Sequence, residues 1–508
     1  MRGTRYLVLM LLVLVIAGVL LWWPRSAADT LEGRVQDANG PIQGATLRVQ
    51  GKSSSVQSDH QGRFHMPWPS GKENRLVGWK EGYRISALPL EKKSLELFLT
   101  RLPSRDNEDY AWIDPTPAVG KENNCGNCHE AIYKEWRSSG HGRSATNPRF
   151  LALYDGGDEK SWNLRRQHPL GAGVCAACHA PTFTDSSVDY DLGKVTGIAA
   201  KGVHCDYCHK IVDAPTDKLG TRFGRDGLKL LRPAQDDLLT FGPLDDVVRP
   251  GESFGYSPLY KESRYCASCH EGVVFGVHVY GTYSEWRESP AAAKGQECQT
   301  CHMAPTGVMT NIAPGKGGIQ RDPMTLGSHG FPGGQTEMLR RCLDVAVTFA
   351  EEGKGVTATV EVNAKNVGHR VPTGFIDRNL VLVVEGFSKD EKPLAPVNGS
   401  RLPVATGKSL AGLPGRLYAK MLRGPDGASP IPFWLPHETM TDTRLHPDRS
   451  DQSAFTFPKK LDKVRVRLLY RRFWPEVAEP RVWTDNEIII FDRFFSPSPL
   501  AQVKLCGL

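Results

Sequence analysis

Ten cysteines and five histidines of this 508-residue chain fall into one repeated pattern. Cys-x-x-Cys-His occurs at Cys125–His129, Cys175–His179, Cys205–His209, Cys266–His270 and Cys298–His302. The spacing has a covalent logic. Two thiols three residues apart add to the two vinyl groups of one haem, and the next side chain, an imidazole, reaches the iron from below. A zinc half-site or a disulfide is the plainer use of paired cysteines, but zinc sites rarely need a histidine directly after the second cysteine every time. The five pentads therefore predict five covalently attached haem c groups. They would be held by Cys125, Cys128, Cys175, Cys178, Cys205, Cys208, Cys266, Cys269, Cys298 and Cys301, with His129, His179, His209, His270 and His302 as iron ligands.

The opposite face of each iron decides function. A second strong ligand closes the iron and leaves electron transfer; an open face allows chemistry on a small molecule. Six histidines in or beside this region lie outside the motifs: His141, His168, His204, His278, His329 and His369. They outnumber the irons by one, so all five can be closed. His204 directly precedes Cys205 and cannot easily fold back onto that haem, so it would serve a neighbour. For His168 and His204 the plain alternative is a hydrogen bond to a propionate. His60, His65, His437 and His446 read as surface or packed residues, and Met303 as packing beside His302. No residue is assigned a catalytic role.

The formal charge of +7 would ordinarily hint at an acidic partner. Ten ionised propionates and five ferric cores change the balance to about +2 when oxidised and about −3 when reduced. No nucleic-acid partner is implied.

Four regions would position these groups. Over 1–28, Arg2 and Arg5 precede an apolar run from Tyr6 to Trp23, with Trp22 and Trp23 where an interfacial belt would sit. This predicts a transmembrane anchor with the body on the periplasmic side. The alternative is a signal cleaved after Ser26-Ala27-Ala28, leaving a soluble periplasmic protein. Over 29–103, short alternating stretches broken by Asn39-Gly40-Pro41 and Asp59 to Gly62 predict a small β-sandwich. Over 104–340, 51 Gly and 36 Pro in the whole chain fit a loop-rich, mainly α pentahaem domain whose core is its cofactors. Over 341–508, Ala346 to Phe349, Val356 to Val362, Leu380 to Val384, Val464 to Tyr470 and Glu487 to Phe491 predict an immunoglobulin-like β-sandwich. The fold is thus expected to be multidomain.

One segment recurs: Tyr133-x-Glu135-Trp136-Arg137-x-Ser139 returns as Tyr283-x-Glu285-Trp286-Arg287-x-Ser289. The second copy precedes the fifth motif, whereas the first follows the first motif, so this reads as a duplicated packing unit rather than a full haem repeat. Its aromatics would pack on porphyrin and its arginine lie near a propionate, or the whole would be ordinary helix packing. Two cysteines remain, Cys342 and Cys506. They are either bridged, closing a loop of about 164 residues, or unrelated.

Two resemblances add to this. Gly33-x-Val35-x-Asp37, Gly40-Pro41-Ile42-x-Gly44-Ala45, Asp59-x-x-Gly62-x-Phe64 and Gly82-Tyr83 resemble the carboxypeptidase regulatory-like domain, which implies a non-catalytic sandwich. Cys125-Gly-x-x-Cys-His, Tyr133-x-Glu-Trp-Arg-x-Ser, His141, Trp286-Arg-x-Ser and Gly295-x-x-Cys298-Gln-x-Cys-His-Met303 resemble the cytochrome c-554/c-552-like multihaem family and, more distantly, pentahaem nitrite reductases and hydroxylamine oxidoreductases. The resemblance implies closely packed, mostly bis-His haems that carry electrons. It also implies distal roles for His141 and His329. Asn366-Val-Gly-His369-Arg-x-Pro372-Thr-Gly374 resembles a loop of exported multihaem cytochromes whose histidine reaches a haem. No motif ends in lysine, a departure from the nitrite reductases. The expected function is a membrane-anchored cytochrome passing electrons between redox proteins, quinol-linked or other cytochromes. The alternative is a multihaem oxidoreductase acting on a small nitrogen or sulfur compound at one open haem.

Overall fold

The computed structural model describes residues 30–69, 75–91, 94–155, 173–183, 192–353, 355–497 and 503–505. They divide into two units: 1–107 with 233–257, and 108–232 with 258–508.

In the first unit, Thr30–Asp37 pairs antiparallel with Arg63–Pro67 and Gly40–Pro41, and parallel with Ser94–Phe98. A second sheet runs in the order Ser55–Gln57, Thr46–Val49, Arg75–Trp79, Ser86–Pro89. The period of two along each strand turns Leu31, Val35, Leu47, Val49, Phe64, Met66, Leu95 and Leu97 into one shared core. Gly33 is needed there, since a Cβ would lie 2.5 Å from the Phe64 ring. The unit also takes in a parallel strand pair, Leu239–Gly242 with Ser253–Tyr256. Asp245, on the crossover, accepts from Trp79 Nε1 at 3.0 Å and pairs with Arg48 at 2.9 Å. Arg84 forks onto Asp237 at 2.6 and 2.8 Å.

The second unit holds all five motifs and the C-terminal sheets. One sheet runs Arg449–Pro458, Gly355–Ala364, Leu343–Glu352, Val503–Leu505; the other runs Thr439–Asp442, Gly415–Arg423, Asn379–Phe387, Lys463–Arg471, Glu487–Phe495. Val347, Val360, Leu382, Phe455, Phe457 and Leu468 fill the space between. The outer face of the second sheet is covered too. Leu153 packs there with Val381, Val383, Leu469 and Trp474. Val277 and Val279 pack with Leu422, Phe433 and Trp434. A strand buried on both faces has no polar side, which is why Leu380 to Val384 is apolar at every position.

Two expectations are corrected. The haem region is not mainly α. Among the described residues its longest helix is the nine-residue Glu130–Ser138, the motifs sit on helices of seven residues or fewer, and strand pairs such as Glu271–Val274 with Val277–Gly281 lie between them. A thiol pair and its histidine need only one helical turn, so nothing selects longer helices. The single-pass anchor, and the membrane location drawn from it, are withdrawn. Met1–Pro24 lies outside the described residues, and among the described residues no helix is long and apolar enough to cross a membrane. The apolar run was already short, with about 27 Å of rise against a hydrocarbon core of about 30 Å.

A buried ion pair braces the third motif. Lys210 Nζ lies 2.6 Å from Asp206 Oδ1, with both side chains almost fully enclosed, and Asp206 also accepts from Ile113 N at 2.9 Å. Lys210→Met strands the Asp206 charge. The expected loss is about 3–5 kcal/mol, read as a fall in the melting temperature of the haem-loaded protein. Adding Asp206→Asn should recover part of it.

Candidate haem centre

Each motif occupies a helical turn, and the turn sets the geometry. His129 N donates to Cys125 O and His209 N to Cys205 O, both at 2.9 Å. This places the two thiols on one face with the imidazole one step further on.

The imidazoles are held by backbone carbonyls. His129 Nδ1 lies 2.8 Å from Ile312 O, His179 Nδ1 3.0 Å from Ser144 O, and His302 Nδ1 2.6 Å from Pro332 O. A carbonyl only accepts, so each Nδ1 carries the proton and each Nε2 keeps its lone pair for a metal. That is the tautomer a haem iron requires.

Two histidines from outside the motifs face motif histidines. The ring centres of His141 and His270 are 6.2 Å apart, and those of His302 and His369 are 6.1 Å apart. Two imidazoles on opposite sides of one metal, with metal–nitrogen distances of about 2.0 Å, have centres about 6 Å apart. Desolvation lowers the pKa of His141 to about 4 and of His270 to about 3, and lowers that of His369. His369 Nδ1 lies 3.0 Å from Arg370 O, again leaving Nε2 bare.

His329 is half-buried; desolvation first, then His209 and His129, lower its pKa to about 4, while the backbone of Gly327 acts in the opposite sense. Phe331 sits between His329 and His141, with ring centres 6.0 and 4.3 Å away. The other candidates stand differently. His204 caps the turn of the third motif: its Nδ1 accepts from Tyr207 N and its Nε2 meets Thr182 Oγ1, both at 3.3 Å. His278 Nε2 lies 2.6 Å from Glu271 Oε1. His168 and Cys506 lie outside the described residues. His60, His65, His437 and His446 are exposed.

The thiols of different motifs adjoin. Cys125 raises the pKa of the Cys205 thiol, Cys298 that of Cys266 and Cys178 that of Cys269, each through a hydrogen bond and each adding to burial. The hydrogen bonds join first with third, second with fourth and fourth with fifth, and the charge of Cys269 acting on Cys208 joins third with fourth, so the five motifs form one connected group. Cys342 lies close enough to Cys301 for its charge to act, after burial, on the thiol.

The duplicated segment keeps the same contacts in both copies. Tyr133–Trp136 and Tyr283–Trp286 have ring centres 5.7 and 5.5 Å apart at tilts of 46° and 37°. Ser139 Oγ accepts from Gly142 N and Ser289 Oγ from Ala292 N, at 3.3 and 3.4 Å. Trp136 Nε1 donates to Val203 O and Trp286 Nε1 to Gln296 O, both at 2.8 Å. Arg137 is committed to Gly142 O at 2.8 Å. Sequence reasoning missed the two glutamates: Glu135 Oε2 accepts from His329 N at 2.7 Å, and Glu285 Oε2 from Arg370 N at 3.3 Å and Thr373 Oγ1 at 2.7 Å. Their recurrence at the third position of each copy was the available signal. It also missed Arg378, which hydrogen-bonds Thr373 O at 2.9 Å and acts electrostatically on both His270 and His369.

Paired thiols on single turns, imidazoles with bare Nε2 atoms and a connected group of motifs define a multihaem c-type cytochrome with covalently held haem. A family model described as cytochrome c554 and c-prime matches residues 124–210. Among solved structures, the chain is similar to the crystal structure of a penta-heme cytochrome c552 from Thermochromatium tepidum. The two are 22% identical with a TM-score of 0.54, over 74% of this chain and 98% of that one. No curated protein matches the chain.

The ring geometry makes a contrast testable. His141→Gly and His369→Gly should each convert one low-spin haem to high-spin and let it bind carbon monoxide. His278→Ala should leave the spin-state count unchanged, because its Nε2 is taken by Glu271. Electron paramagnetic resonance of the oxidised variants reads all three.

Proposed function

We propose that the protein is a pentahaem electron-transfer cytochrome, most of whose irons are closed by two histidines and which relays electrons between redox partner proteins. The observation that carries this reading is the pair of imidazole separations at His141–His270 and His302–His369, each the span of one six-coordinate iron. The count of five rests on the five pentads and accords with the similar cytochrome c552, a penta-heme protein.

Haem iron, when bound, supplies a one-electron change between ferrous and ferric states. The residues of the chain set the conditions for it. The thiols hold the cofactors in register from one motif to the next. The carbonyls of Ile312, Ser144 and Pro332 fix the proximal tautomers. His141, His369 and, for a third iron, His329 supply distal nitrogen and keep water and small molecules off the metal. Arg378, near two of the centres, suits a propionate. His204 and His278 serve the protein rather than an iron, as an N-cap and as a partner of Glu271. Two neutral imidazoles holding one haem would favour low reduction potentials and electron transfer over substrate binding.

Two measurements test this. Mass spectrometry of the mature protein should show five covalent haem additions. Counting high-spin iron in the oxidised protein should find few or none, and a substantial high-spin population binding a nitrogen or sulfur oxyanion would favour the oxidoreductase alternative.

A further inference from the structure

The duplicated segment does more than pack. In the second copy, Trp286 Nε1 holds the carbonyl of Gln296, two residues before Cys298. The neighbouring Glu285 carboxylate holds the backbone directly after His369. These two contacts grip both sides of one centre, since His369 faces His302 of that same motif at 6.1 Å. The carboxylate is itself anchored by buried Arg444, 2.7 Å away.

The first copy repeats this arrangement at another place in the chain. Trp136 Nε1 holds the carbonyl of Val203, two residues before Cys205. The neighbouring Glu135 carboxylate holds the backbone N–H of His329. The offset from tryptophan acceptor to motif is two residues in both copies, although the intervening sequence differs greatly in length.

We propose that each Tyr-x-Glu-Trp-Arg-x-Ser segment is an axial clamp. Its indole positions the strand entering a haem motif, and its carboxylate positions the loop that brings the distal histidine to that motif's iron. The first copy then assigns His329 to the iron of Cys205–His209. Of the histidines acting on His329, His209 has the largest effect, which agrees with this pairing. Glu135 and Glu285 are thus positioning residues, and the segment is a repeat of haem-site construction even though its two copies stand differently to the motifs around them.

The proposal rests on His329 being a distal ligand, and the test separates the two. In the haem-loaded protein, His329→Gly is expected to turn one low-spin haem high-spin. Glu135→Ala should raise the open fraction of that one haem about tenfold or more, the change that loss of one charge-assisted hydrogen bond brings. The effect should be read as carbon monoxide binding that millimolar imidazole suppresses. Glu135→Gln, whose amide oxygen still accepts from His329 N, should keep the native spectrum. An unchanged His329→Gly spectrum removes the ligand reading itself. A His329→Gly conversion with no effect of Glu135→Ala overturns the clamp. The assignment can also be read without any substitution: a structure of the haem-loaded protein with His329 bonded to the iron of Cys125–His129 would overturn it, and bonding to the iron of Cys205–His209 is the expected result.

Discussion

The constraint that governs this chain is the hydrogen bond between a motif imidazole and a backbone carbonyl far away in sequence. A histidine on a helical turn can present either nitrogen, and only the carbonyl on Nδ1 makes Nε2 the metal-facing atom. Ile312, Ser144 and Pro332 supply those carbonyls from positions 183, 35 and 30 residues away from their histidines. Ile312 and Pro332 lie in irregular backbone and Ser144 in the short turn His141–Thr146, where carbonyls are left without a partner in regular secondary structure. The haem region is therefore built from short turns pinned by specific contacts, with little repeating secondary structure.

The C-terminal sheets supply the rigidity that the turns lack. Asn379–Phe387 is covered on both faces, once by its sister sheet and once by Leu402, Leu410, Trp474 and Val477 together with Leu153 of the haem region. His369 reaches its place at the root of this sheet, on a loop tied by Arg370 to Asp442 and by Glu285 to buried Arg444. The position of His369 opposite His302 thus depends on a β-domain whose strands hold none of the five motifs.

Much of this was legible in the sequence, and the limits have physical causes. The pentads announce their covalent chemistry because thioether formation fixes spacing and order. The alternation of Leu31 with Val35 and of Phe64 with Met66 marks strands because a half-buried strand has period two. Which histidine meets which motif was not legible, since His141 and His270 come together across 129 residues and no spacing rule encodes a through-space pair. The contact of His278 with Glu271 was not legible either, because only the folded hairpin brings the two together. His204 stands one residue before Cys205, where its ring serves as the cap that starts the turn. The recruitment of 233–257 into the first unit left no trace, because its Pro, Gly and Asp residues have no periodicity to read.

That recruitment bears on how the chain can be cut and when it can fold. The first 107 residues are not a detachable module. Severed there, Trp79, Arg48 and Arg84 would lose Asp245 and Asp237 as partners, and Ile85 N would lose the Phe254 carbonyl. During synthesis the first unit stays incomplete until residue 257 has emerged, by which time the first three haem motifs have already been exposed. Closing a contact across some 150 residues is slow compared with local turns. A graft boundary that respects the fold therefore lies at no single cut ahead of residue 257.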